Sequence, residues 1–479
     1  MFEALVGRQL DAHVAVVGAG PAGSATAALL ARAGLDVMLL DRDAFPRDKV
    51  CGDFVSPTAL VELEWLGIGS RPEFHAANAI SSASLHIDGE RLVEQGLPET
   101  PGLPSMGRVV PRAVLDEWIV DAARTAGARV MEKAAVKGIE IDERGVELEL
   151  AGRPSRVVRA GLVVGADGSN SLVARQLRGH GPDRADRIVA VRAYYDCVEG
   201  DDHEAALYFS ERTFPGYTWL FPTGAGTANV GVGMMLATIP AGDHHLRDLL
   251  EDVVRSDHAL GPRLRSATRV GRILGWPLTT YNPRLPLVGD RMLLVGDAAG
   301  LINPLNGEGI QYALASARWA AETIAACAAG PRRFDTDGLL PYAQRVEEQL
   351  GTDMTLARAI VQLISNRALN PFWLLALRAI AARASRDPNY AATAGGILVG
   401  TERAQRAGAP DFLTATVVET IGLILRGIVQ PDQRFRSLVQ LGRAGIDVAA
   451  ASAAAPREMA GWGAESAARL GELAMLGSL

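Results

Sequence analysis

Val14-Ala15-Val16-Val17-Gly18-Ala19-Gly20-Pro21-Ala22-Gly23 is the stretch that decides the fold, and Val37-Met38-Leu39-Leu40-Asp41 completes it. Val14 to Val17 is a short apolar run of the kind buried in a parallel sheet. The Ala-rich segment from Gly20 to Arg32 reads as a helix, Gly34 stops it, and Val37 to Leu40 is a second strand. Strand, glycine turn, helix and strand in that order form a dinucleotide-binding βαβ unit. Gly18 allows the tight turn, Gly20 lets backbone approach a pyrophosphate, and Gly23 lets the helix pack on the strand. Pro21 and Ala22 open the helix, whose free N–H groups and positive dipole end face the phosphates. Asp41 lies 18 residues after Gly23, where a carboxylate accepts from ribose hydroxyls; Arg42, its neighbour, joins the cofactor-binding set. A glycine turn without function is the plain alternative, and it leaves the position of the acid unexplained.

Further along, the strand-to-turn pattern recurs. Gly161-Leu162-Val163-Val164-Gly165 runs into Ala166-Asp167-Gly168. Leu293-Leu294-Val295 runs into Gly296-Asp297-Ala298-Ala299, then Pro304 and Gly307-Glu308-Gly309. From there a helix to about Cys327 turns Ile310, Leu314, Ala317, Ala321 and Ile324 inward. Arg112 and Asp116 lie one turn apart at the head of another helix, with Val114, Leu115, Trp118, Ile119 and Ala122 on one stripe. Asp88-Gly89 between alternating residues from Leu85 to Val93 predicts a hairpin. Ile188 to about Gly233 is β-rich, and beyond Gly338 the pattern is helical almost to the end. There is no internal repeat. The chain therefore divides into a cofactor domain in three pieces (10–50, 100–180 and 275–330), a β-rich substrate domain (51–99 and 181–274) and a helical C-terminal region (331–479).

Composition narrows the function. The 479 residues correspond to about three structural units of roughly 150 residues each. Hydrophobic residues at 48% and charged residues at 22% exclude a disordered chain. A net charge of −7 argues against nucleic-acid binding through a basic surface. Cys51, Cys197 and Cys327 are far apart, which speaks against a disulfide framework or a zinc site and for a reducing, cytoplasmic setting. The adjacent His244 and His245 point about 100° apart on a helix, so they read as a solvated face rather than metal ligands. Met1-Phe2-Glu3 lacks the basic start of a signal peptide. The charge-free stretch Thr213 to Gly242 holds six Gly and three Pro, which rules out a spanning helix there.

Taken together, the glycine loop, Arg112 and the Asp167 and Asp297 segments, spread over about 280 residues, resemble the FAD-dependent oxidoreductases of the para-hydroxybenzoate hydroxylase type. The resemblance implies an α/β, Rossmann-type FAD-binding domain carrying the inserted β-rich domain. It also implies that Asp297 holds the ribityl chain and that the helix beginning near Gly307 aims its N-terminus at the flavin N1/O2 edge. Such a dipole stabilises the charge of reduced flavin. Arg47, Cys51, Gly52, Arg112, Asp167, Gly168, Gly296, Pro304, Gly307, Gly309 and Ile310 complete the implied cofactor set.

A finer resemblance is to the geranylgeranyl reductase family, which includes archaeal lipid, chlorophyll-pathway and menaquinone side-chain reductases. It rests on Phe45-Pro46-Arg47-Asp48-Lys49-Val50-Cys51-Gly52-Asp53 and on Tyr217-Thr218-Trp219-Leu220-Phe221-Pro222 followed by Gly231-Val232-Gly233, a Y-x-W-x-F-P…G-x-G pattern. Asn303-Pro304-Leu305-Asn306-Gly307-Glu308-Gly309-Ile310 is similar to the family's segment beside the flavin. The likeness covers about residues 12 to 400, and the tail after about Ala404 matches no named pattern. It implies an FAD-dependent reductase that passes hydride from reduced flavin to carbon–carbon double bonds of an isoprenoid or similarly apolar substrate. NAD(P)H or a ferredoxin-like protein is the expected electron donor, binding transiently, because Gly224-Ala225-Gly226 lacks the helix of a second nucleotide unit. A class A flavin monooxygenase or a halogenase on the same fold is the rival reading, although a halogenase is expected to carry W-x-W-x-I-P. A non-catalytic FAD-containing binder of prenyl lipids is the third.

Tyr217, Trp219 and Phe221 alternate along a strand and share a face, ended by Pro222. That aromatic wall is the expected substrate surface, with plain sheet core as the alternative. Tyr217 and Cys51 are the candidate catalytic groups. In the C-terminal region, Ile360, Val361, Leu363, Ile364, Phe372, Trp373, Leu374, Leu375, Leu377 and the run from Val417 to Val429 read as buried helical core. The alternative is a peripheral membrane face flanked by Arg367, Arg378 and Arg383.

Overall fold

The computed structural model describes residues 10–152, 156–239, 246–330, 334–429 and 456–475, so His244 and His245 lie outside the described residues. Strand Ala12–Val17 stands in the middle of an eight-stranded sheet. It pairs in parallel with Val37–Leu40, which pairs with Arg129–Met131, and on its other side with Arg156–Gly165, which pairs with Met292–Leu294. Strands Val288–Gly289, Gly145–Leu150 and Val136–Asp142 join this sheet antiparallel. Val14, Val16, Leu39, Leu162, Val164 and Leu293 are fully buried, as a parallel sheet covered on both faces requires. Helix Pro21–Arg32 packs against helices Arg112–Thr125 and Ile310–Ala329.

Helix Ile310–Ala329 buries Ile310, Leu314, Ala317, Ala321 and Ile324. In Arg112–Thr125 the stripe is Leu115, Trp118, Ile119 and Ala122, whereas Val114 is 41% exposed. At about 100° per residue Val114 falls about 90° from the centre of that stripe, so it turns to solvent.

A second, seven-stranded sheet runs in the order Thr268–Thr279, Arg187–Asp196, Thr227–Met235, Tyr217–Gly224, Glu204–Phe209, Ser82–Ile87, Glu90–Gly96. All its pairings are antiparallel except that of Glu204–Phe209 with Ser82–Ile87. Asp88 and Gly89 form the two-residue hairpin, with φ of 51° and 79°. Within the span 51–99, helices Pro57–Trp65 and Pro72–Ala76 pack into the core of the first sheet through Leu60, Leu63 and Phe74, and Ser82 onward enters the second sheet.

Helices Thr336–Val346, Thr352–Ile364, Asn370–Ala384, Pro388–Val399, Pro410–Val429 and Pro456–Met475 follow. Val361 and Leu374 are buried, and Ile364, Trp373 and Leu377 pack against the second sheet's core. The buried-core reading fails for Phe372, which is 43% exposed, and for the described start of the run from Val417: Val417, Val418 and Ile421 are 55%, 63% and 51% exposed. Helix Pro410–Val429 spends its inner face on contacts such as Phe412 stacked on Tyr390, with ring centroids 4.4 Å apart, and Val417, Val418 and Ile421 lie off that face. Side chains of residues 423–429 lie outside the described set. Arg367 donates to the carbonyls of Phe214, Glu211 and Arg212, Arg378 pairs with Glu90 and Asp88, and Arg383 pairs with Asp387. No helix among the described residues is long and apolar enough to cross a membrane.

Candidate active site

The glycine loop is fixed from both sides. The Gly18 amide donates to the Leu40 carbonyl at 2.7 Å, and the Ala19 amide donates to Asp41 Oδ2 at 2.7 Å. A Cβ on Gly23 would lie 1.8 Å from the Gly18 carbonyl oxygen, so only glycine lets the helix start this close to the strand. Gly20 stands at the head of helix Pro21–Arg32, which no side chain caps. Ala22 packs against Gly296, whose added Cβ would lie 2.7 Å from the Ala22 Cβ.

Beside the loop, Arg47 reaches Asp41 at 3.6 Å and Asp116 at 3.2 Å. Buried Asp116 also holds Arg112 through two bonds of 2.6 and 2.8 Å. Asp116 therefore anchors both arginines. Arg47 Nε is buried and makes no hydrogen bond, a spare donor next to an uncapped helix start. Arg42 is largely exposed, pairs with Asp43 and lies 5.6 Å over the Trp276 ring. Asp167 spends its carboxylate on helix Leu172–Arg178, accepting from the Leu172 amide at 2.6 Å and from the Ser171 hydroxyl. Gly168 faces open space.

At the other end, Asp297 accepts from Lys49 Nζ at 3.0 Å and from Ser169 Oγ at 3.5 Å. Burial alone would raise its pKa, but the Lys49 charge and hydrogen bond, with Arg112 nearby, hold it below the ordinary value, so it remains a carboxylate. Gly309, at the head of helix Ile310–Ala329, has no side chain, and its neighbour caps the helix instead. Glu308 accepts from the Gln311 amide at 3.2 Å, and burial pushes its carboxyl up to about 7.

Between these ends lies a cavity of about 220 Å³. Its cofactor-side wall includes Pro21, Arg112, Asp297 and the segment from Pro304 to Ile310. Its floor is the second sheet, where Tyr217, Trp219 and Phe221 stand in a row with neighbouring ring centroids 6.3 Å apart. Gly231 explains the G-x-G of the sequence: its added Cβ would lie 2.2 Å from Trp219 Cζ2, so the indole lies flat on bare backbone. Cys51 and Gly52 form part of the wall, while Pro222 is buried on the opposite face of its strand and does not line the cavity. The far wall comes from Val361, Ile364, Leu398 and Val399. The end of helix Pro388–Val399 is tied to the cofactor side, for Asn306 Nδ2 donates to the Ile397 carbonyl at 3.2 Å and Gln311 Nε2 to the Gly400 carbonyl at 3.3 Å.

Tyr217 donates its hydroxyl to the Asn306 carbonyl at 2.5 Å, and burial raises its pKa far above the phenol value. Burial also raises the Cys51 thiol, against the lesser pull of Arg112. Both groups are protonated at neutral pH. Sequence reasoning missed the layer beneath them. Fully buried Asp53 accepts from Tyr194 Oη at 2.6 Å and Asn229 Nδ2 at 2.7 Å, and burial pushes its carboxyl up to about 6. A polar residue on the glycine-bearing side of strand Thr227–Met235 was the available signal for Asn229.

Residues 11–347 match the FAD binding domain family, which is more than half of the chain. The chain belongs to that family. As an FAD-binding protein it offers a matching set of groups: the spare Arg47 donor, the uncapped start of helix Pro21–Arg32 and an ionised Asp297 suit the pyrophosphate and the ribityl hydroxyls. It is 37% identical over 325 residues to the menaquinone reductase of Mycobacterium tuberculosis, covering 66% of this chain and 76% of that one. It is 35% identical over 372 residues to digeranylgeranylglycerophospholipid reductase 2 of Methanopyrus kandleri, covering 75% and 89%. Among solved structures, a geranylgeranyl bacteriochlorophyll reductase-like protein of Thermoplasma acidophilum shares the fold at TM-score 0.67 and 21% identity, over 87% of this chain and 98% of that one. A flavin-dependent brominase shares it at TM-score 0.68 and 19% identity, over 88% and 100%.

Proposed function

We propose that the protein reduces carbon–carbon double bonds of an isoprenoid chain. The observation that carries this is the cavity in which the segment Pro304 to Ile310 faces the aromatic row Tyr217, Trp219 and Phe221. When bound, FAD supplies the hydride, after reduction by an outside donor such as NAD(P)H or a ferredoxin-like protein. The chain's own residues do the rest. The aromatic row and the aliphatic far wall take up an apolar chain and exclude water. Asp116 fixes Arg47 and Arg112 beside the cofactor edge, and Lys49 keeps Asp297 charged. Alkene reduction also needs a proton on carbon. Glu308, at the cavity wall with a carboxyl near 7, holds a proton at Oε over the range where Tyr217 and Cys51 are too weakly acidic to release theirs.

The names of the two relatives support prenyl substrates, and the brominase shares only the fold. A halogenase is expected to carry W-x-W-x-I-P, and this chain has Tyr217 and Phe221 in place of the first Trp and the Ile. The exposed Leu413, Val417, Val418 and Ile421 support a peripheral lipid contact through which such a chain enters. The test is anaerobic. Dithionite-reduced enzyme mixed with a polyprenyl substrate should reoxidise its flavin and yield a product two hydrogens heavier per bond. A product that gains oxygen, formed only in air, makes the protein a monooxygenase instead. Binding without turnover leaves a non-catalytic lipid binder.

A further inference from the structure

Two parts of the cavity wall, Cys51 and Trp219, converge on one buried amide. Asn229 is fully buried on strand Thr227–Met235. Its Nδ2 donates to the Cys51 carbonyl and to Asp53 Oδ2, each at 2.7 Å. Its Oδ1 accepts from Trp219 Nε1 at 3.0 Å. The Cys51-Gly52-Asp53 turn needs holding. Asp53 has φ of 63°, a left-handed backbone that a residue with a side chain keeps only where its surroundings over-determine it. Gly52 sits against the aromatic row, where an added Cβ would lie 3.0 Å from Phe221 Cε2.

We propose that Asn229 is a positioning residue. Its amide locks the Cys51-Gly52-Asp53 turn to the Trp219 indole, so that thiol and ring present one fixed wall to the apolar chain. Most side-chain hydrogen bonds go to backbone or water rather than to other side chains. The Asn229 amide instead joins a turn 178 positions away in sequence to an indole 10 positions away, and both of them line the cavity. Tyr194, donating to the same Asp53 oxygen at 2.6 Å, supports the turn from below.

The inference rests on reading the cavity as the substrate site, and its main readout does not need turnover. In FAD-loaded protein carrying Cys197→Ser, which removes the exposed thiol, alkylation of Cys51 by N-ethylmaleimide is followed by mass; Cys327 is buried and Cys51→Ser sets the baseline. Asn229→Ala should alkylate at least tenfold faster than the parent. It should also raise KM for a short polyprenyl substrate at least tenfold, with kcat within threefold and FAD content unchanged. Asn229→Asp gives a signature that a packing role would not. At pH 5 the introduced carboxyl shares one proton with Asp53 and rejoins Asp53 to the indole, though not the Cys51 carbonyl, whereas at pH 8 two carboxylates repel. Its alkylation rate relative to the parent should therefore climb severalfold between pH 5 and pH 8. If Asn229→Ala does not fold, this pH profile decides. A ratio near one at every pH overturns the proposal, as does a parallel loss of kcat, KM and FAD content. If the alkylation results hold while no isoprenoid is bound or reduced, the positioning role stands and the proposed function falls.

Discussion

Gly231→Ala is the sharpest perturbation of the substrate floor. The added methyl would lie 2.2 Å from Trp219 Cζ2, 2.7 Å from Trp219 Cε2 and 2.5 Å from the Val191 carbonyl oxygen. Carbon–carbon contact is comfortable from about 3.5 Å, so the indole must lift by roughly 1.3 Å (3.5 − 2.2). The only yielding direction is into the cavity. That shift breaks the 3.0 Å bond from Trp219 Nε1 to Asn229 Oδ1 and leaves a buried acceptor unpaired. Overpacking costs about 1–3 kcal/mol and the lost bond about 1 kcal/mol more, so a net destabilisation of about 2–4 kcal/mol is expected. The displaced ring also takes up cavity space, and KM for an apolar substrate should rise about tenfold, which is about 1.4 kcal/mol. Urea unfolding and steady-state kinetics read both effects. A double-mutant cycle with Trp219→Leu isolates the cause. Once the indole is gone, two of the three nearest clashes are removed and the Val191 carbonyl at 2.5 Å still opposes the methyl, so Gly231→Ala should cost at least ~1 kcal/mol less than in the parent. If it costs the same in both backgrounds, the indole is not the obstacle and the account of the G-x-G fails.

Asp53 gives the protein a pH signature. Burial raises its carboxyl from 3.8 to about 6, so the folded state holds the proton more tightly, and this stabilisation is complete below about 4 and lost as pH climbs through about 6. A difference of 6 − 3.8 = 2.2 corresponds to about 3 kcal/mol, and Asp53→Asn should flatten urea stability between pH 4 and 7; an unchanged slope would mean that Asp53 is solvated. Glu308→Gln should slow substrate-dependent flavin reoxidation by about 10²–10⁴-fold and remove the fall in rate as pH rises through about 7, read by anaerobic stopped flow; an intact profile would assign the proton to another group. Asp297→Ala removes the carboxylate that faces Lys49, and the purified protein should lose most of its bound FAD on gel filtration, against full yellow wild type. Val417→Glu with Val418→Glu should abolish co-sedimentation with liposomes while anaerobic turnover of a detergent-dispersed substrate persists; unchanged sedimentation would place the lipid contact elsewhere.

Local chemistry was legible in the chain wherever one segment carries its own reason. The glycine loop and the Asp88-Gly89 hairpin depend on backbone geometry within a few residues, and both stand where the sequence puts them. The aromatic row was legible from alternation, but the same alternation sends Pro222 to the other face, and grouping it with the substrate surface ignored the period of two. Arg42 was read by its neighbourhood to Asp41, yet adjacent strand-end side chains diverge, and it is Arg47 that returns to the loop. The burial of helix Pro410–Val429 was misread because an apolar run records composition, while exposure depends on what packs against it. Asp53, Asn229 and Tyr194 were invisible as a group, because Asp53 meets its partners 176 and 141 positions away. No periodicity reports a meeting that only the tertiary fold arranges.

The ties from Asn306 and Gln311 to the end of helix Pro388–Val399 have a consequence for how such proteins diversify. One wall of the cavity belongs to helices outside the cofactor module, yet those helices grip that module through backbone carbonyls. The grip is therefore indifferent to side-chain identity at Ile397 but keeps Gly400 a glycine, because its φ is 77° and an added Cβ would lie 2.7 Å from Gln311 Nε2, while Val361, Ile364, Leu398 and Val399 remain free to change size. A lineage can thus retool what the chamber accepts, one aliphatic side chain at a time, without renegotiating the joint that holds its two halves together.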